Sequence, residues 1–231
     1  MRVLFQWLVT SSIVGFGVAS IAACSSEEGS RPPFDDVDVT GRDVNPDGIA
    51  YPTDDWGARP RNGTTPGQRL PNFSFQGYPD SKQDDGLQVV SFADFYDPSQ
   101  QRHKVMYLVA VVAWCPHCQA ETRAIAANSS AFRANGVQVV QTVMEGAERG
   151  RPLSLVDVDE WVDTMGTDFT VLIDVNAKRL GSVADIEGVP WNALVDTRSM
   201  EVLAVTVGEL VDVPGYVDLG LTWVATHEAR P

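Results

Sequence analysis

The chain has 231 residues, enough for one well-filled domain with further segments. Hydrophobic residues make up 44% of it, which supports a globular core, and the formal net charge is -14. So acidic a surface repels phosphate backbones, no Lys/Arg cluster interrupts it, and nucleic acid is excluded as an expected partner; the acidity reads as solubility.

Residues 1–24 read MRVLFQWLVTSSIVGFGVASIAAC. Arg2 gives a short positive start, and the apolar stretch after it is broken by Gln6, Thr10, Ser11 and Ser12, so it is a poor membrane span. It stops at Ile21-Ala22-Ala23-Cys24, and SSEEGS follows at once. Small residues before a cleavage point let the chain lie extended in a peptidase groove. The quartet resembles the lipobox of bacterial lipoprotein signal peptides, which implies cleavage before Cys24 and acylation of its thiol and new amine. More than one acyl chain is what stable anchoring requires. Ile21 stands where Leu is commoner. Ser25, rather than Asp, leans towards the outer membrane of a Gram-negative bacterium, facing the periplasm. Arg2 is the only charged residue before Cys24, so cleavage would take the net charge from -14 to -15. The three cysteines are Cys24, Cys115 and Cys118, and lipidation accounts for the odd one.

Residues 24–70 form a Pro-, Gly- and Asp-rich stretch with little periodicity, expected to be a tether carrying the domain at 71–231. Phe34, Tyr51 and Trp56 are aromatics able to pack back on that domain. Asp43, Asn45, Asp47 and then Asp54 match the oxygen spacing of a calcium loop. Pro52 inside the loop, Asp54 in place of a bidentate Glu, and the missing flanking helix favour instead an Asn-Pro-Asp-Gly turn.

From Pro71 the pattern changes. Residues 71–75 read as an entry strand and 87–92 as a second. Residues 105–113 (VMYLVAVVA) are a continuous apolar, β-branched run and predict a central strand buried on both faces. A helix is expected over 116–133, a strand over 137–143, a helix over 156–165 with Trp161 inward, and a strand over 170–173. Residues 192–195 and 202–207 flank the turn sequence Asp196-Thr197-Arg198-Ser199 and predict a hairpin. A closing helix is expected near 216–229. Strands alternating with helices and ending in a hairpin predict an α/β sandwich with a mixed central sheet.

Trp114-Cys115-Pro116-His117-Cys118 falls where the central strand turns into a helix. Two cysteines three apart can close a disulfide across a first helical turn, with the first sulfur near unpaired N–H groups and the positive dipole end, which favour a thiolate. Pro116 suits that turn, since its missing N–H has no partner there. A charged His117 beside the sulfurs favours the reduced form and makes the disulfide more oxidising. A zinc half-site is the rival for a Cys-x-x-Cys pair, but no further Cys remains and His103 and His227 are isolated. A structural disulfide over so short a loop constrains little of the unfolded chain.

The motif resembles the active site of the thioredoxin superfamily, and the Cys-Pro-His-Cys tetrapeptide resembles that of periplasmic disulfide oxidants. Gly188-Val189-Pro190, followed by Trp191-Asn192-Ala193-Leu194-Val195-Asp196, resembles the family's second signature, in which the proline is cis and faces the disulfide. The 75 positions from Cys115 to Pro190 and the opening strand resemble the extracytoplasmic TlpA/ResA-like and redoxin (AhpC/TSA-like) branch, which adds one β-α element. The resemblance spans about residues 70–210. It implies a thioredoxin-like three-layer sandwich with the Cys-x-x-Cys pair at a helix N-terminus, and a monomeric thiol–disulfide oxidoreductase needing no cofactor beyond its redox-active disulfide. It implies Cys115 as nucleophile, Cys118 as resolving thiol, Trp114 packed over the site, and Val189, Pro190 and Trp191 at the substrate. Protein thiols or disulfides and an upstream redox partner are the expected partners; the direction of transfer stays open.

This chain departs from the pattern in two places. The buried acid often found six residues before the first cysteine is Val109 here, so proton handling at Cys118 must fall to water, His117 or an acid such as Glu121. Trp191 replaces the usual Thr and is expected to narrow the substrate groove. A redoxin-type thiol peroxidase is the alternative enzyme, although Val112 stands where those enzymes place Thr. A metal-binding chaperone module is the non-enzymatic alternative, although such proteins space their cysteines more widely.

Overall fold

The computed structural model describes residues 42–53 and 62–229, so Cys24, Asp54 and the other expectations on residues 1–41 lie outside the described residues. The expected elements follow in the expected order: β1 (Ser74–Tyr78), β2 (Gln88–Ser91), β3 (Val105–Val111), α1 (Pro116–Ala134), β4 (Val137–Val143), α2 (Leu155–Met165), β5 (Thr170–Ile173), β6 (Trp191–Asp196), β7 (Glu201–Val207) and α3 (Val213–Thr226). They make one mixed sheet in the order β2-β1-β5-β4-β3-β6-β7. The β3–β4 and β4–β5 pairs are parallel and the rest antiparallel. All seven residues of β3 are buried, as a strand at the centre of a doubly covered sheet requires.

Three boundaries differ from expectation by two or more residues, and β3 ends at Val111 rather than at residue 113. The entry strand starts at Ser74, after Pro71, which has no N–H to offer a ladder. The last helix starts at Val213, because Asp212 accepts from the Gly215 N–H at 2.9 Å and Pro214 fits the first turn.

Register explains where the helices sit. Val109 pairs with Gln141 on one side and Asn192 on the other, so these side chains share a face. On it Gln141 donates to Thr122 Oγ1 of α1 at 2.9 Å and accepts from Trp161 Nε1 of α2 at 2.7 Å. The Tyr107 ring meets Tyr216 of α3 edge-on at 5.9 Å. All three helices therefore cover one face. Among the described residues no α-helix covers the other face, where the connections include 3-10 turns.

Residues 42–53 and 62–70 pack on this body. Tyr51 is buried and donates to the Leu70 carbonyl at 2.5 Å, Leu70 N–H donates to Met200 O at 2.9 Å, and Arg69 Nε donates to Ser199 O at 2.9 Å. The Asn-Pro-Asp-Gly turn favoured by the sequence over a calcium loop is present, with the Gly48 N–H donating to Asn45 O at 2.9 Å. Asn45 is 2% exposed; its Oδ1 accepts from the N–H groups of Asp47 (3.0 Å) and Ile49 (2.7 Å), and its Nδ2 donates to Tyr96 O at 3.0 Å. Asp47 pairs with Arg102 at 2.7 Å, and Asp43 accepts from Asn72 at 3.3 Å. Among the described residues, oxygens of Asp43, Asn45 and Asp47 are thus committed to the fold.

Trp161→Phe leaves the Gln141 oxygen buried without its donor. Urea unfolding is expected to show a loss of about 1–3 kcal/mol with unchanged slope.

Candidate active site

Strand β3 runs out of the sheet centre at Val112-Ala113-Trp114 and the chain turns into α1. Cys115 is the N-cap of that helix, Pro116 occupies its first turn, and the Cys118 N–H points at Cys115 Sγ at 3.5 Å. Both cysteines are free thiols. Cys118 lies one turn inside at 0% exposure, and burial pushes its thiol well above the usual range. The Val189–Pro190 peptide is cis, and the Val189 carbonyl lies 4.0 Å from Cys115 Sγ. The two sequence motifs, far apart in the chain, thus meet at one sulfur.

Cys115 opens on a cleft of about 550 Å3 whose walls include Trp114, Glu145, Arg149, Glu187 and Val189. Trp114 Nε1 donates to Glu145 Oε2 at 2.6 Å, and the Arg149 guanidinium stacks 4.4 Å over the Trp114 ring. Trp191, expected to narrow this groove, is instead 2% exposed and packed in the core. Strand alternation sends Trp191 and Asn192 to opposite faces of β6, and neither borders the cleft. His117 is exposed, and its Nδ1 is 2.5 Å from Glu209 Oε2 in the β7–α3 loop, which occupies the ring with a carboxylate.

The missing strand acid is replaced from the helix. Glu121, one turn after Cys118, is 1% exposed and its Oε2 accepts the Leu210 N–H at 2.6 Å. Burial pushes its carboxyl up to about 7; the Leu210 N–H and the Asn192 amide pull it down, and Glu209 adds to the rise. The Glu121 charge in turn helps raise the Cys118 thiol. A buried acid that titrates near neutrality, one helical turn from the buried thiol and close enough for its charge to act on it, is suited to take that thiol's proton. Glu145, Arg149 and Glu209 carried no signal in the sequence, because loops far from the motifs deliver them; Asn192 lies inside the second motif but was not marked there as a site residue. Among the described residues no cluster of His, Cys, Asp and Glu suits a metal ion.

The family model described as "AhpC/TSA family" matches residues 66–195, more than half of the chain. The chain belongs to the AhpC/TSA family. This places it in the redoxin branch of the thioredoxin superfamily, as its two motifs imply. No curated protein matches this redoxin-branch chain. Among solved structures it is similar to the thioredoxin domain of a thiol-disulfide oxidoreductase from Bacteroides vulgatus (18% identity, 68% of this chain and 98% of that one, TM-score 0.53). It is also similar to a candidate thiol:disulfide interchange protein DsbE from Chlorobium tepidum (22%, 69% and 96%, TM-score 0.52). A candidate thioredoxin from Neisseria meningitidis gives 24%, 71% and 93%, with a TM-score of 0.51. At these identities the likeness establishes the thioredoxin-like fold.

The raised Glu121 carboxyl has a consequence for stability. The folded state holds this proton to higher pH than the unfolded chain, so stability falls as pH rises from about 4.5 to about 7 and is level above that. The loss is on the order of 3 kcal/mol. Glu121→Gln keeps an oxygen for the Leu210 N–H and is expected to flatten this fall, read as urea midpoints at pH 5 and pH 8.

Proposed function

We propose that this redoxin is a lipid-anchored, extracytoplasmic thiol–disulfide oxidoreductase that exchanges disulfides with protein substrates through Cys115 and Cys118. One observation carries the reading: Cys115 sits at a helix N-terminus on an open cleft, with a buried thiol one turn behind it and a buried acid beside that thiol. The names of two of the solved structures it resembles supply a precedent for the activity.

In the reducing direction the Cys115 thiolate attacks a substrate disulfide. A mixed disulfide forms and one substrate thiolate leaves. Cys118 then gives its proton to the Glu121 carboxylate and attacks Cys115 Sγ. The intramolecular disulfide forms and the second substrate thiolate leaves, so the substrate gains the two electrons the pair has lost. An upstream dithiol partner restores the pair. Read backwards, the same steps donate a disulfide. Val189 presents its carbonyl to the substrate chain beside Cys115 Sγ and Pro190, and Trp114, braced by Glu145 and Arg149, also walls the cleft. The protein works as a monomer and needs no cofactor other than the disulfide.

The anchoring half of the proposal rests on Ile21-Ala22-Ala23-Cys24. Residues 1–23 act as a signal peptide, Cys24 carries the lipid, residues 24–70 lead to the domain at 71–231, and Ser25 directs the protein to the outer membrane. Among the described residues no helix is long and apolar enough to cross a membrane.

Cys118→Ser is expected to accumulate mixed disulfides with protein partners on non-reducing gels, and Cys115→Ser to accumulate none and to lose exchange down to the uncatalysed background. Equal trapping by both variants, or by neither, defeats the assignment. Cys24→Ala is expected to shift the protein from the membrane to the soluble fraction. Buried Val112, three residues before Cys115, offers no hydroxyl to a peroxide, so hydrogen peroxide consumption by the reduced protein is expected to stay at background. The reduction potential assigns direction: roughly -120 mV makes the protein a disulfide donor, and roughly -270 mV or below a reductase.

A further inference from the structure

Asn192 lies two residues after the cis proline, in β6, at 0% exposure. Its Oδ1 accepts the Tyr107 hydroxyl at 2.8 Å, a fully buried bond. A hydroxyl donating to the amide oxygen fixes the amide's orientation, and the two N–H bonds of Nδ2 must look elsewhere. They have no partner with full hydrogen-bond geometry, and neither has Oε1 of Glu121. Yet the Asn192 amide lies close enough to that carboxyl to lower its proton affinity. A buried donor and a buried acceptor, each without another partner and not joined by a hydrogen bond, lie near each other beneath the Cys-x-x-Cys helix. Buried polar groups left unpaired are rare and costly, so a gap between two complementary ones calls for a reason.

The chemistry of the carboxyl supplies it. An ionised Oε1 accepts from Nδ2 and closes the gap. A protonated Oε1 turns its own donor towards a donor, and the gap must open. We propose that Asn192, held by Tyr107, is a positioning residue that clamps the ionised form of Glu121 and so sets when Cys118 can hand over its proton. The proposal deepens the reading of the site as a thiol–disulfide exchanger and rests on it.

Other groups face the same carboxyl. The Leu210 N–H comes from the β7–α3 loop, and so does Glu209, itself paired with His117. Cys118 is on the same helix. Tyr107 stands on β3 and Tyr216 on α3, each feeling the Glu121 charge. The Leu210 bond engages Oε2 and leaves Oε1 as the oxygen open to the Asn192 amide. Removing the amide therefore changes one oxygen and leaves the loop anchor in place.

The test uses the full chain, reduced, with one equivalent of the chromogenic disulfide 5,5′-dithiobis(2-nitrobenzoate). Attack by Cys115 forms a mixed disulfide and releases one nitrothiobenzoate. Attack by Cys118 on Cys115 Sγ closes the internal disulfide and releases the second, its own proton passing to Glu121. The second release, followed against pH, is expected to show an inflection from Glu121. Asn192→Leu, nearly isosteric but without the amide, is expected to move that inflection up by about one pH unit, a tenfold change in proton affinity. Tyr107→Phe, which loosens the amide without deleting it, is expected to move it the same way by less. In a Glu121→Gln background the Asn192→Leu change is expected to move nothing further. A merely structural asparagine would lower thermal stability in both single variants and leave the inflection in place, and that result overturns the proposal. No second release from the unmutated protein would overturn the exchange reading itself, a distinct outcome.

Discussion

Strand β3 has to be covered on both faces along its whole length, and that requirement organises the molecule. A seven-residue apolar strand with no exposed side takes its neighbours on both edges, β4 in parallel and β6 antiparallel. A parallel partner demands a crossover, and right-handed crossovers over β3–β4 and β4–β5 put α1 and α2 on the same face. The strand's exit is therefore also the start of α1. A residue placed there sits at the edge of the sheet with a helix N-terminus behind it, and Cys115 takes that place. The same central position makes Cys118, one turn further in, a buried thiol.

The face under the helices is not purely apolar. Gln141 bridges Thr122 and Trp161 with both ends of its amide, and these bonds tie α1 and α2 to β4 in one satisfied group. Such a network favours one packing of the helices over near-equivalent ones. Across β3 in the same layer, Tyr107, Asn192 and Glu121 make a second group, and this one is not fully satisfied. The contrast fits their positions. The closed network holds structure, and the open one lies beside the thiol that has to gain and lose a proton.

Loops decide the character of the rim. The loop after β4 brings Glu145 and Arg149 to Trp114, and the loop after β7 brings Glu209 to His117, the Leu210 N–H to Glu121, and the Gly208 N–H to Pro190 O at 2.8 Å. One short loop thus touches the histidine between the cysteines, the buried acid and the cis proline. A chain of this family can change its thiol chemistry by changing such a loop while the sheet stays as it is.

The sequence by itself determined the order of the elements, the central strand, the helix that begins at Cys115 and the branch of the superfamily. Those features depend on local periodicity, on a nine-residue apolar run, and on two short motifs whose meaning is carried within a few residues. It also marked Glu121 as a candidate acid once Val109 was seen to lack one. The tertiary structure alone decided what each polar side chain faces. Trp191 turned into the core because strand alternation sets its direction. Asn45, whose turn the sequence already showed, found Tyr96 O for its amide N–H only in the fold. Asn192, Glu145, Arg149 and Glu209 joined the site from 30 to 94 positions away from Cys115 along the chain. Proton affinity and pairing depend on burial and distance, and neither is a property of residues read one after another.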